Sequence, residues 1–347
     1  TREIPVETQF LLAELPAGRY ALVLPILDEP FRGVLEGRDD DQLLLIVETG
    51  DTATAGTGAT ALFVAVGDDP YRLMHDAARS IAARLQTVRL REEKPLPAFI
   101  DQFGWCTWDA FYQQVSHEKV REGLQSFAEG GVQPRFLILD DGWQSVLALS
   151  DTAGPFRLTA FAANAKFPGD LAPTVAMAKG EFGVRTVIAW HAFQGYWSGV
   201  DPAAFPQYRA AEVTERFSPG IRAYRSEEQN AAPALVGVVA PEDICRFYQD
   251  YHRHLYRQGI DGVKVDNQSS LEACTQGLGG RVRLLRLYHE ALEGSTQRYF
   301  LGNLINCMSC GTDIIYQLLN STLLRTSDDF WPKRPETHGM HLYNNAF

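Results

Sequence analysis

The chain has 347 residues, 45% of them hydrophobic and 22% charged, and a net charge of −11. That balance suits a globular protein with a sizeable core in one large domain or two, and interspersed acids and bases with a negative excess disfavour a polyanionic partner such as nucleic acid. Five scattered cysteines do not make a disulfide framework, and the lack of an 18-residue apolar run or a charged-then-apolar leader points away from a membrane, so a reducing cytoplasm is the expected setting.

From Arg19 to Gly67 short apolar runs alternate with turn residues: RYALVLPIL, FRGVLEG, QLLLIVETG and ALFVAVG. This predicts antiparallel β structure, the end of a β-sandwich over 1–68, with the acidic stretch Arg38 to Gln42 as a solvated turn. PYRLMHDAARSIAARLQ then spaces apolar residues three and four apart, which predicts a helical connector over 69–95, with KPLPAF marking its end.

Beyond that the chain alternates. FGWCTW (103–108), RFLILD (135–140), VRTVIAW (184–190), GVKVD (262–266), YFLGNLI (299–305) and TLLRTS (322–327) are apolar on both faces, as strands of a covered parallel sheet are. Helical patterns lie between most of them. One is capped by Ser116 with Val120, Leu124 and Phe127 on its inner stripe, and another opens at Pro241 with Ile244, Tyr248, Tyr251 and Leu255 on one face. Polar residues gather at the C-terminal ends of several strands. This favours a (β/α)₈ barrel over a doubly wound sheet, although only six of the eight strands are found before Phe347. No glycine spacing fits a phosphate loop, so no nucleotide cofactor is expected.

The strand ends carry the chemistry. The second ends in Asp140 and Asp141, followed by Gly142 and Trp143: two carboxylates that can take bidentate hydrogen bonds from sugar hydroxyls beside an indole that could cover the ring, or else a helix cap and a turn. The third ends in Trp190 and His191, with Tyr196 and Trp197 close behind, an aromatic grouping that leans towards a carbohydrate platform, with the histidine more readily a structural residue than a ligand. The fourth carries Lys264 and Asp266 on one face, where the lysine would hold the carboxylate ionised as a nucleophile, or the two would form a buried ion pair. The sixth reads Arg325, Thr326, Ser327, Asp328, Asp329; if extended it puts Asp329 on the arginine's side, and if capping it bonds Ser327 and Asp328 to the next amides. A retaining glycosidase needs two carboxyl groups roughly 5–5.5 Å apart, which Asp266 and Asp329 on two strands of one barrel can supply. Cys307 and Cys310 form a lone CxxC with no second ligand pair, so no metal site is expected.

With FGWCTWDAFY, ILDDGWQS, WHAFQGYW, GVKVDNQ and RTSDDFWP in this order, the sequence resembles glycoside hydrolase family 36, in the branch of raffinose synthases, alkaline α-galactosidases and seed imbibition proteins. The resemblance covers almost the whole chain. It implies an N-terminal β-sandwich, a (β/α)₈ catalytic barrel over 96–347 that is incomplete at its C-terminal end, and a retaining mechanism on α-galactosides without metal or cofactor. By motif it implies Asp266 as nucleophile and Asp329 as general acid/base. It further implies that Asp140 and Asp141 bind the 4- and 6-hydroxyls, that Lys264 and Arg325 lie near C1 and C2, and that Trp105, Asp109 and Trp190 line the pocket. Asn267, and Cys310-Gly311 in place of His-Asn, depart from the pattern in a way that touches acceptor preference.

The expected activity is therefore hydrolysis of terminal α-galactosides of raffinose-type oligosaccharides, towards which the compact segment 201–240 tilts the reading. The alternatives are galactosyl transfer from galactinol to sucrose and a carbohydrate-binding protein without turnover. The expected partner is a small carbohydrate, with no nucleic acid and no membrane.

Overall fold

In the computed structural model, residues 3–149, 156–327, 329, 331 and 333–346 are described. The N-terminal part forms two three-stranded antiparallel sheets. Strands β1 (Leu11–Leu15), β2 (Arg19–Pro25) and β6 (Leu62–Gly67) make one, in the order β1-β2-β6. Strands β3 (Leu27–Asp28), β4 (Phe31–Gly37) and β5 (Leu43–Glu48) make the other.

The helical period over 70–86 forms helix α1 (Pro70–Leu85). Asp69 accepts hydrogen bonds at its N-terminus from the amides of Tyr71 at 2.9 Å and Arg72 at 3.2 Å, and Pro70 supplies the first helical position. Its inner stripe of Leu73, Ala77 and Ile81 packs on Leu22 and Leu24 of the first sheet and on Ile26 just beyond it. The helix thus completes the core of the N-terminal part rather than merely spacing it from the barrel.

All six expected barrel strands form: β7 (Gly104–Cys106), β8 (Phe136–Leu139), β11 (Thr186–Ala192), β14 (Gly262–Asp266), β15 (Leu304–Asn306) and β16 (Leu323–Leu324). They pair in parallel in chain order, β7-β8-β11-β14-β15-β16. Helices α2 (His117–Glu129), α3 (Ala172–Phe182), α4 (Ile244–Arg257) and α5 (Arg281–Phe300) follow on from strands in the barrel manner. The four residues expected on the inner stripe of α4 are all buried, and the Ser116 hydroxyl caps α2 by accepting from the Lys119 amide at 3.2 Å.

Two expectations shift. The fifth strand begins at Leu304 rather than residue 299, because α5 runs through Phe300 and stops only where Leu301 and Gly302 adopt positive φ of 54° and 82°. The fourth helix starts at Ile244 rather than Pro241, which sits in the turn before it.

Two antiparallel hairpins were not expected: β9 (Gln144–Ala148) with β10 (Phe156–Ala163), and β12 (Ala210–Thr214) with β13 (Leu235–Val239). Both are inserted after barrel strands. The Arg157 guanidinium of the first bonds Glu212 and the Leu235 carbonyl of the second, so the two buttress one another above the strand ends.

Candidate active site

The parallel register puts Trp190 beside Lys264 and Ala192 beside Asp266 at the C-terminal ends of β11 and β14. Alternation along β11 then turns His191 to the helix side, where its Nε2 meets His252 Nε2 of α4 at 3.1 Å. His191 is a structural residue, as its setting in the sequence suggested.

A cavity of about 250 Å³ opens over these strand ends. Its lining includes Asp140, Asp141, Trp190, Lys264, Asp266, Arg325 and Asp329, so seven of the nine expected site residues face one space. Such a volume suits one sugar ring and is below the roughly 300–1,000 Å³ of larger ligand sites.

Each acid has its own set of donors. Asp140 Oδ2 accepts from Lys264 Nζ at 2.7 Å and from the Cys106 thiol at 3.1 Å. Asp141 accepts from the Tyr196 hydroxyl at 2.6 Å, Trp197 Nε1 at 3.0 Å and Gln113 Nε2 at 3.1 Å. Burial nevertheless raises the Asp141 pKa, with the neighbouring Asp140 charge adding to it, against the lowering by these three donors. The sharp turn after the pair depends on Gly142, whose φ is +116° and where a Cβ would stand 2.7 Å from the Gln113 Cα.

Asp266 is held by Trp190 Nε1 at 3.1 Å, by the Asn267 amide at 2.8 Å and by the Cys307 thiol. Lys264 therefore does not pair with Asp266, as its spacing of two suggested. Its ammonium reaches across to Asp140, where the nearer carboxylate lies. Burial depresses the Lys264 pKa, but the Asp140 carboxylate beside it acts the other way, and the group stays charged well into the alkaline range.

Arg325 links the second acid to the first. Its Nη1 donates to Asp329 Oδ1 at 2.8 Å and to Cys307 Sγ at 3.5 Å, and that sulfur in turn bonds Asp266. Burial pushes both the Cys106 and the Cys307 thiols up to about 12, so each is a neutral donor to a carboxylate. Asp328 lies outside the described residues.

Two tryptophans, Trp105 and Trp143, are placed differently from expectation. Trp105 is directed away from the cavity, because on β7 it alternates with Cys106, which faces Asp140. Its ring packs edge-on against Phe127 of α2 at 5.5 Å and Phe111 at 6.0 Å. The indole of the same motif that lines the cavity is Trp108, at the first turn after the strand. Trp143 is fully buried and donates to the Trp190 carbonyl at 2.8 Å, so it supports the platform instead of covering a sugar. Trp197, tilted at 5.8 Å from Trp190, takes the surface position.

Asp109 is not among the lining residues but lies in their field. Its pKa is raised by burial and then by the like charges of Asp329 and Asp140. Cys307 and Met308 complete the lining and were not anticipated as site residues. Cys307 sits directly beyond β15, as Asp140 does beyond β8 and Arg325 beyond β16, and this signal could have found it. No cluster of three or more potential metal ligands occurs among the described residues, and no helix there is long and apolar enough to cross a membrane.

A family model described as raffinose synthase or seed imbibition protein Sip1 matches residues 1–347. The chain belongs to the raffinose synthase and seed imbibition protein family. Among relatives in that family, a probable galactinol–sucrose galactosyltransferase of Arabidopsis thaliana is 38% identical across the whole chain and 51% of its own length. The galactinol–sucrose galactosyltransferase of Oryza sativa subsp. japonica is 37% identical across the whole chain and 49% of its own length. The chain thus spans about half the length of these family members. Among solved structures, an α-galactosidase from Thermus thermophilus in complex with stachyose superposes with a TM-score of 0.57 at 20% identity, covering 95% of this chain and 61% of the other. That likeness bears out the fold class expected from the sequence, a (β/α)₈-type barrel preceded by β-sheets.

Proposed function

We propose that the chain builds the donor-sugar site of an enzyme that transfers an α-galactosyl group from galactinol to sucrose, through a covalent galactosyl–enzyme intermediate. The observation that carries the reading is the convergence of Asp266 and Asp329 on one cavity, joined through Cys307 and Arg325.

Asp266, at the end of β14, attacks the anomeric carbon while Asp329 gives a proton to the departing oxygen, and a galactosyl–Asp266 ester remains. Arg325 then stabilises the carboxylate that Asp329 has become. In the second half Asp329 takes the proton of an acceptor hydroxyl, whose oxygen displaces Asp266, so configuration is retained over two inversions. Asp140 and Asp141, oriented by Lys264, Tyr196, Trp197 and Gln113, are the acceptors for sugar hydroxyls, and Trp108, Trp190 and Trp197 supply apolar ring contacts.

Water in place of the acceptor gives hydrolysis with the same two acids. Hydrolysis was the sequence expectation, and transfer takes its place because the relatives matched across the whole chain carry transferase names. Incubating the full-length enzyme with galactinol and sucrose and comparing raffinose with free galactose tests this. Raffinose should predominate, and free galactose in excess at high sucrose would return the reading to hydrolysis.

A further inference from the structure

Outside the lining of the cavity, two buried arginines meet four carboxylates where the N-terminal sheets touch the barrel. Arg32 of β4, 1% exposed, bonds Glu48 of β5 and lies 3.6 Å from Glu7, 3.6 Å from Asp313 and 4.0 Å from Glu272. Arg281, opening α5 and 3% exposed, reaches the same Glu48 at 3.1 Å, Asp313 at 2.9 Å and Glu272. The backbone seals the junction: the Arg281 amide donates to the Thr49 carbonyl at 2.8 Å, and the Thr275 hydroxyl to the Gly50 carbonyl at 2.8 Å.

The sequence positions of the two barrel acids matter. Glu272 ends the segment that leaves Asp266 at the top of β14, and Asp313 ends the segment that leaves Cys307 at the top of β15. Between those anchors the two segments touch each other, the Ser269 amide donating to the Met308 carbonyl at 2.9 Å. The Gln9 side chain of the N-terminal part also accepts from the Thr312 amide at 2.7 Å. Each of the two segments, one leaving Asp266 and the other starting at Cys307, is therefore fixed at one end by its strand and towards the other by the same pair of guanidinium groups.

We propose that Arg32 and Arg281 form a clasp through which the N-terminal sheets hold the segments 267–274 and 307–313 in register. This makes Arg32 a positioning residue for Asp266 and Cys307. For its effect on turnover the inference rests on the catalytic reading above. For its effect on loop order it does not.

Arg32→Met leaves Glu7, Glu48, Glu272 and Asp313 facing Arg281 alone, an uncompensated buried excess of negative charge. In the full-length enzyme, amide hydrogen exchange at 267–274 and 307–313 should rise by about 2- to 30-fold, the range of coupling carried by such networks, with α4 unchanged. The ratio of variant to wild-type exchange should shrink as the pH is lowered. Glu272, already raised by burial and the like charge of Asp313 against Arg281 and Arg32, then takes up a proton and relieves the repulsion. Arg32→Lys should restore most of the protection, and if Arg32→Met does not fold, Arg32→Gln, which removes the charge but keeps a hydrogen-bond donor, carries the same comparison in milder form. kcat on galactinol should fall in step with exchange while KM moves little. Unchanged exchange in both segments, or a uniform rise across the barrel, would overturn the clasp. Absence of turnover in the wild-type enzyme would instead overturn the catalytic reading and leave the exchange result standing.

Discussion

At the scale of single residues, neighbours one position apart do different work, and strand alternation decides which. Cys106 bonds Asp140, so Trp105 must face α2, and only the turn beyond the strand brings Trp108 round to the cavity. The two indoles should therefore separate cleanly on substitution. Trp108→Ala should raise KM about tenfold, equivalent to ~1.4 kcal/mol of lost contact, with little change in the unfolding midpoint. Trp105→Ala should cost about 3 kcal/mol of stability, the low end for an indole lost from a core, and leave KM near wild type. Steady-state kinetics and urea unfolding of both variants check this, and a reversed pattern would return Trp105 to the site. The acids were legible because carboxylates at apolar strand ends stand out. Their pairings were not, since a spacing of two shows that Lys264 and Asp266 share a face but not that Asp140, 124 positions away in sequence, is nearer the ammonium.

At the scale of elements, the seam between β11 and helices α4 and α5 contains three fully buried histidines: His191, His252 and His289. Burial lowers all three pKa values, His191 to about 4 and His289 to about 3. An unfolded histidine titrates near 6.5, so below that pH the unfolded state binds more protons than the folded one, and stability rises with pH. Above about pH 6.5 the penalty is absent. Between there and about pH 4 it grows by roughly 1.4 kcal/mol per pH unit for each histidine. Neither ring nitrogen of His289 has a hydrogen-bond partner in the structure, and Phe193 packs on the ring at 4.7 Å. His289→Phe should thus match or exceed wild-type stability at pH 8 and gain further on it at pH 5, as measured by urea midpoints. Equal gains at both pH values would show that His289 is not among the groups that titrate on unfolding. Helix α4 was legible because its apolar spacing is strict. The hairpins β9-β10 and β12-β13 were not, because residues such as Thr159, Ala163 and Ala210 carry no consistent period of two.

At the scale of the whole molecule, the order of six parallel strands could be read from sequence because strands apolar on both faces have few architectures open to them. The contact between the N-terminal sheets and the barrel could not. Arg32 and Asp313 are 281 positions apart, and nothing local in either segment announces the other. The central claim, that Asp266 is the nucleophile of a retaining galactosyl transfer, is tested most directly by trapping. The full-length enzyme, treated with a fluorinated galactosyl fluoride that forms the ester but releases it slowly, should carry one sugar on the peptide containing GVKVDNQ, at Asp266. A label on any other residue, or steady turnover of galactinol by Asp266→Ala, would contradict it.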